Sequence, residues 1–230
     1  MHPSLEALVP GTLTILAYGA LLSERSARVT FPMLSNFRLA RVSGYRRVFA
    51  HPHFFLLSQN IVDRSTTKRI ASLSAEPLPL ASASPSSGFV VAAFDVDMTP
   101  ELQADFDKRE PEYHFDTAVF TELGASSPSG TGVICVRPPD GDAGMRPGLV
   151  MPQGLDTVWG WGEESGLLPA DIYLRHVVLA SQRAGEKAYD SFLDETLLCD
   201  RTTPLRKYLE EHPEIMDVKP PPGLEERFNG

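Results

Sequence analysis

The stretch FVVAAFDVDMTPELQADFDKREPEY, residues 89–113, is where the fold can be read. Residues 89–97 form a mostly apolar run of strand length, and Thr99-Pro100 then offers a helix N-cap and a first-turn proline. A strand therefore leads straight into a helix. Leu102 and Phe106 fall four apart on one helix face, and the helix is predicted to stop near Arg109, because Pro111 biases Glu110 away from helical geometry. This leaves Glu110 at a helix exit, with Tyr113 three positions on. The partial negative charge of a helix C-terminus disfavours another negative charge beside it. That placement would raise the Glu110 pKa toward the range where one carboxyl can both take and give a proton. Arg109 would oppose the shift. The plainer alternative is a charged helix exit made of Arg109, Glu110 and Glu112.

Working outward, TLTILAYG (residues 12–19) is an aliphatic run that meets a glycine and reads as a buried strand ending in the turn YGALL, 18–22. FRLARVSGYRRVF, 37–49, alternates as one half-buried strand with Gly44 as a possible bulge, and AEPLPLASASPSSG, 75–88, reads as a loop. Past residue 113, FDTAVFTEL (115–123) and GTGVICVRP (130–138) look like a strand pair linked by ASSPS, followed by a second loop-like stretch at 138–148. The last third turns helical. Helices are expected in DIYLRHVVLASQRAG, 171–185, with Gly185 as the stop, then in AYDSFLDETLL, 188–198, and from Thr203-Pro204 through PLRKYLEEH. KPPPGLEERFNG, 219–230, reads as a loosely held tail.

With 230 residues, 42% of them hydrophobic, the chain can build a sizeable core without staples. A formal charge of −9 and a pI near 5.1 argue against a nucleic-acid backbone as partner, and the one basic cluster, RVSGYRRVF, reads as the exposed face of a strand. Cys135 and Cys199 make neither a disulfide framework nor a CxxC motif, which fits a reducing, cytoplasmic setting. The opening MHPSLEALVPGTLTILAYGALL lacks a basic leader, is broken by Pro10 and Gly11 and is too short for a membrane span. No GxSxG, HExxH or GxxxxGK[ST] pattern occurs. Gly160-Trp161-Gly162 with Gly166 misses the dinucleotide spacing and reads as a turn with packed tryptophans, and His51 with His53 lacks a third metal ligand at sensible spacing.

Taken in order, the YGALL turn after the first strand and the strand-helix-DKREPEY unit about ninety residues later resemble the γ-glutamylcyclotransferase-like family. In that family a YGSL-type loop follows the first strand, and an acidic residue of an LD.RE...Y segment does the chemistry. The counterparts here are Tyr18, Gly19, Ala20 and Leu21 for the loop and Glu110 for the acid. NFRLARVSGYRRVF is similar to the family's second strand, and Gly166 to Leu174 to a helical segment of its glutathione-acting branch. The resemblance covers roughly residues 12–200 and has two departures: Ala20 stands where the family usually has serine, and Tyr113 follows Glu110 more closely.

The resemblance implies an α+β fold, a mixed barrel-like sheet of about six or seven strands with packed helices and a C-terminal helical extension. It implies one domain over 1–230, with a core at about 12–200 and a C-terminal helix and tail at 201–230. The implied activity is γ-glutamyl cyclotransfer, without cofactor or metal, on glutathione, a γ-glutamyl dipeptide or a γ-glutamyl amine. Glu110 would be the acid/base, the Tyr18–Leu21 backbone would bind the substrate, and Tyr113 would orient it. Neither nucleic acid nor membrane is expected as a partner. The alternatives on the same fold are a non-catalytic module that binds a small anionic metabolite or a partner, and an amide-forming or hydrolytic enzyme.

Overall fold

Five strands close on themselves. They are β1 (Gly11–Ala17), β2 (Ser35–Ser43), β5 (Gly88–Met98), β6 (His114–Glu122) and β7 (Ser129–Val136). In this computed structural model, which describes residues 11–79, 87–124, 126, 128–138, 149–152 and 154–230, β1 pairs with β5, β5 with β2, β2 with β6 and β6 with β7. All four pairings are antiparallel, and β7 then returns to β1 in parallel, which completes a mixed barrel. The opening segment 1–10 and the parts of the predicted loops at 80–86, 125, 127 and 139–148 lie outside the described residues.

The apolar run at 89–97 has its explanation here. Phe89, Val91 and Ala93 face one hydrophobic cluster while Ala92, Phe94 and Val96 face another, so β5 is buried on both sides from Phe89 to Phe94 and alternates polar with apolar only at its end, where Asp95 and Asp97 flank Val96. The sheet continues beyond the ring through β4 (Arg69–Pro77), joined to β7 at Ala75 and Val136 and then to β3 (Tyr45–Pro52). The short strands β8 (Leu168–Pro169) and β9 (Thr196–Leu197) add to β4 and β3, giving nine strands among the described residues where six or seven were expected.

Gly44 is not a bulge within one strand. It sits at φ 83°, a left-handed conformation that favours glycine, and the strand before it pairs inside the barrel while the strand after it pairs with β4. The backbone of Gly44 marks the switch: its N–H donates to Ser87 O at 3.3 Å and its carbonyl accepts from Leu78 N–H at 2.9 Å. Residues 75–77, predicted as the start of a loop, belong to β4, where Ile70 through Glu76 are all buried.

The helix predicted after residue 99 is α3 (Pro100–Arg109), with Thr99 Oγ1 accepting the Leu102 N–H at 3.3 Å as its cap. With α1 (Glu24–Thr30) it covers the cluster of Ile15, Phe94 and Val133. On the other cluster lie α2 (Phe54–Ser58), α4 (Asp171–Ala184), α5 (Glu186–Asp194) and α6 (Leu205–Glu211). Leu197 and Leu198 are not the end of a long helix, because α5 stops at Asp194 and Thr196–Leu197 pairs with β3. Nor is the end of the chain loose, since Phe228 is buried in the main core. No helix among the described residues is long and apolar enough to cross a membrane.

One buried cation ties these parts together. Arg47 is fully buried and donates to Thr196 Oγ1 at 2.7 Å and Ser191 O at 2.8 Å, and more loosely to Tyr18 O and Val90 O at 3.4 and 3.3 Å. Phe89 and Phe192 face its guanidinium at 4.8 and 4.9 Å. Burial pulls its pKa down to about 9.

Candidate active site

The turn after β1 is shaped by what it must bury. Leu21 and Leu22 go into the core, which winds Ala20–Leu22 into a single 3₁₀ turn closed by the Leu22 N–H to Gly19 O bond at 2.9 Å. The leading N–H groups of such a turn have no acceptor within it. Gly19 is needed for a close approach: a Cβ there would stand 2.8 Å from the Tyr173 hydroxyl oxygen. Tyr18, also buried, donates its hydroxyl to Cys135 O at 2.8 Å and accepts from Ala75 N–H at 3.2 Å. It thereby fills the place where β4 and β7 diverge.

Glu110 arrives from the other motif. Phe106 anchors α3 by packing its ring on Phe31 and Phe115, with centroids 5.2 and 4.8 Å away, and Glu110 follows four residues later as the helix C-cap. Its N–H still donates to Phe106 O at 3.0 Å, and Pro111 ends the helix as the sequence predicts. The Arg109 Nε stands 3.3 Å from Glu110 Oε1, an ion-pair distance without the direction of a hydrogen bond. Trp159 secures the segment beyond by donating its indole N–H to Glu112 O at 2.9 Å and packing its ring, tilted by 31°, against His51 with centroids 4.2 Å apart.

These two segments line one cleft of about 490 Å³, within the range usual for small-molecule sites. Tyr18, Gly19, Ala20, Leu21, Glu110 and Tyr113 all border it. Tyr113 is buried, and its hydroxyl is engaged by the Leu73 carbonyl and lies 3.2 Å from His51 Nε2, so its ring forms a wall of the cleft. His51 and His53 belong to no group that could hold a metal, and no such group occurs among the described residues.

Sequence reasoning missed several residues of this cleft, among them Tyr173, Ser72, His176 and Arg227, and considered His53 only as a metal ligand. Tyr173 lies within the Gly166–Leu174 segment already noted, and that segment was the available signal for it. The others carried no local signal, because strands and helices far apart in sequence bring them in. Burial, and then the charge of Glu110, raise the Tyr173 phenol pKa, while the Ser72 hydrogen bond works the other way. The Tyr18 and Tyr113 phenols are pushed up too, chiefly by burial, with Glu110 contributing. Three neutral phenols thus lie within electrostatic reach of one carboxyl. Burial drives His53 and His176 down to about 3, so near neutral pH the imidazoles are uncharged and the arginines carry the positive charge near Glu110.

No protein-family model and no curated protein matches the sequence. Solved structures do. An uncharacterized human protein is 13% identical over 55% of this chain and 66% of its own, with a TM-score of 0.39. A γ-glutamyl cyclotransferase is 12% identical over 55% and 67%, also at 0.39. A yeast γ-glutamyl cyclotransferase specific to glutathione is 11% identical over 74% and 86%, at 0.45. The match spans just under two thirds of the human protein's length.

Proposed function

We propose that the protein is a γ-glutamyl cyclotransferase, converting a γ-glutamyl compound to 5-oxoproline and the released amine. The observation that carries this reading is the meeting of Glu110 with the Tyr18–Leu21 turn in one cleft, although the two motifs lie about ninety residues apart. The substrate's α-amino nitrogen would attack its own γ-carbonyl carbon, forming the lactam C–N bond as the bond to the leaving nitrogen breaks. Glu110 would take one proton from the α-ammonium and deliver it to that departing nitrogen, and the second proton that the attacking nitrogen sheds would pass to the released amine, which leaves as the ammonium.

Because nucleophile and electrophile share one molecule, holding the γ-glutamyl chain folded supplies much of the rate. Well-oriented intramolecular reactions reach effective molarities of about 10⁵ M or more. The turn's N–H groups would face the α-carboxylate or the developing oxyanion. The neutral Tyr173 phenol would add a hydrogen-bond donor without competing charge, while the Tyr18 and Tyr113 hydroxyls are already given to backbone carbonyls. No step requires a cofactor.

The test is 5-oxoproline release, read by mass spectrometry, from glutathione and a panel of γ-glutamyl dipeptides and amines. Glu110→Gln should stay folded and lose about 10²- to 10⁴-fold in turnover, the usual contribution of a general acid/base. Undiminished turnover in that variant would refute the assignment. Ala20, which lacks the serine hydroxyl of the resembled loop, favours a second reading, a binding module on the same fold. Tight γ-glutamyl binding without product would support that one.

A further inference from the structure

The cleft holds a cation that the reaction above does not use. Arg227 belongs to the final segment of the chain, and its guanidinium carbon lies 3.6 Å from the centre of the Phe55 ring, over its face. Among the described residues it forms no side-chain hydrogen bond and no ion pair, whereas Arg109 in the same cleft stands against Glu110. A guanidinium held over the face of an aromatic ring keeps its N–H groups free for another partner. Its edge has the fork geometry that matches a carboxylate.

The segment is fastened there. Phe228 is buried beside Phe55 and His176, at centroid distances of 6.2 and 5.8 Å. The Gly230 N–H donates to His176 Nδ1 at 2.9 Å, and Arg183 donates to the carbonyls of Asn229 and Gly230. Arg227 is exposed to solvent, yet the charges of Arg109, Glu110 and Glu112 all reach it. It therefore stands at the mouth of the cleft and within range of the reacting end.

We propose that Arg227 is a specificity-determining residue that binds the carboxylate of the leaving group, so that the cleft prefers γ-glutamyl amino acids and peptides to γ-glutamyl amines. This rests on the cyclotransferase reading for the orientation of the ligand: with the α-carboxylate held at the Tyr18–Leu21 turn, the carboxylate left for Arg227 is the one on the departing amino acid. The neutral imidazoles of His53 and His176 line the same part of the cleft. Each has a buried nitrogen without a hydrogen-bond partner, Nδ1 of His53 and Nε2 of His176, able to meet an amide on the leaving group.

The experiment compares two ligands that differ in a single carboxylate, γ-glutamylalanine and γ-glutamylethylamide, titrated calorimetrically into Glu110→Gln so that turnover does not intervene. γ-Glutamylalanine should bind at least about tenfold more tightly, as expected for one charge-assisted contact. Adding Arg227→Gln should abolish that preference, and Arg227→Lys should keep part of it. A preference that survives Arg227→Gln overturns the proposal. So does an equal loss for both ligands, which would place the γ-glutamyl α-carboxylate on Arg227 instead, and so does the absence of any preference in Glu110→Gln itself. Failure of the cyclotransferase reading shows up separately, as an Arg227-dependent preference in binding with no 5-oxoproline from the wild-type protein.

Discussion

Lowering the pH from about 7.5 to about 5 should remove about 4 kcal/mol of folding stability, and two histidines account for it. In the folded protein burial holds His53 and His176 near 3, against an ordinary value of 6.5. Their folded pKa values are depressed, so between about 3 and 6.5 the unfolded chain binds more protons than the native state, and stability rises with pH through that window. At about pH 5 each unfolded imidazole is protonated and each folded one is not. One and a half units at about 1.4 kcal/mol each gives roughly 2 kcal/mol per histidine. His51, also lowered by burial, acts in the same direction.

His176 shows what protonation would break. Its Nδ1 accepts the Gly230 N–H, and a proton on that nitrogen would set donor against donor and release the segment that carries Arg227. Urea unfolding followed by tryptophan fluorescence and circular dichroism at the two pH values measures the loss directly. His176→Phe should shrink the pH dependence by about 2 kcal/mol. Stabilities at the two pH values that agree within about 1 kcal/mol would refute the reasoning, since imidazoles with unperturbed pKa values contribute no such difference.

Two further outcomes follow from named contacts. Gly19→Ala would push a methyl group against the Tyr173 hydroxyl, so 5-oxoproline formation should fall about 10- to 100-fold, as for other small misplacements of a site; Tyr173→Phe in the same chain should restore part of it, and a Gly19→Ala protein with full activity would show that the close approach does not matter. Arg47→Lys keeps the charge but loses the planar fork that reaches Thr196 and Ser191 together, so it should lower the unfolding free energy by about 2–4 kcal/mol; an unchanged urea midpoint would contradict the buried network.

The sequence was legible wherever local rules act alone. Thr99-Pro100, Phe106 and Pro111 each carry a cap, a face or a stop, and α3 begins and ends as they dictate. Gly44 misled because the residues on both sides are strand formers, and only the choice of partner, a long-range matter, distinguishes a bulge from a change of neighbours. The segment at 75–77 misled through the composition of the stretch it opens, 75–88, where serine, alanine and proline resemble a loop, yet Ala75 and Glu76 are buried in β4, with Glu76 paired to Arg46 and Arg201. Leu197 and Leu198 extend a helical pattern, but pairing with β3 outweighs propensity there. Of the cleft, the Tyr18–Leu21 turn and Glu110 could be found because each sits in a short continuous motif. Arg227 could not, because its position depends on Phe55, His176 and Arg183, which the chain brings together only on folding.

The reach of Arg47 bears on how the protein is made. Its acceptors include Tyr18 near the start of the chain, Val90 in the middle and Ser191 and Thr196 late in it, and the cleft gains Arg227 and Phe228 later still. A ribosome that has released the first 185 residues has delivered every barrel strand, while the guanidinium of Arg47 still lacks its two shortest hydrogen bonds. Until then that charge has only its longer contacts to the Tyr18 and Val90 carbonyls, so the early part of the chain gains little by closing alone. Completion waits for α5 and β9, and the cleft gains its Arg227 and Phe228 lining only once the segment carrying them has docked on Phe55 and His176.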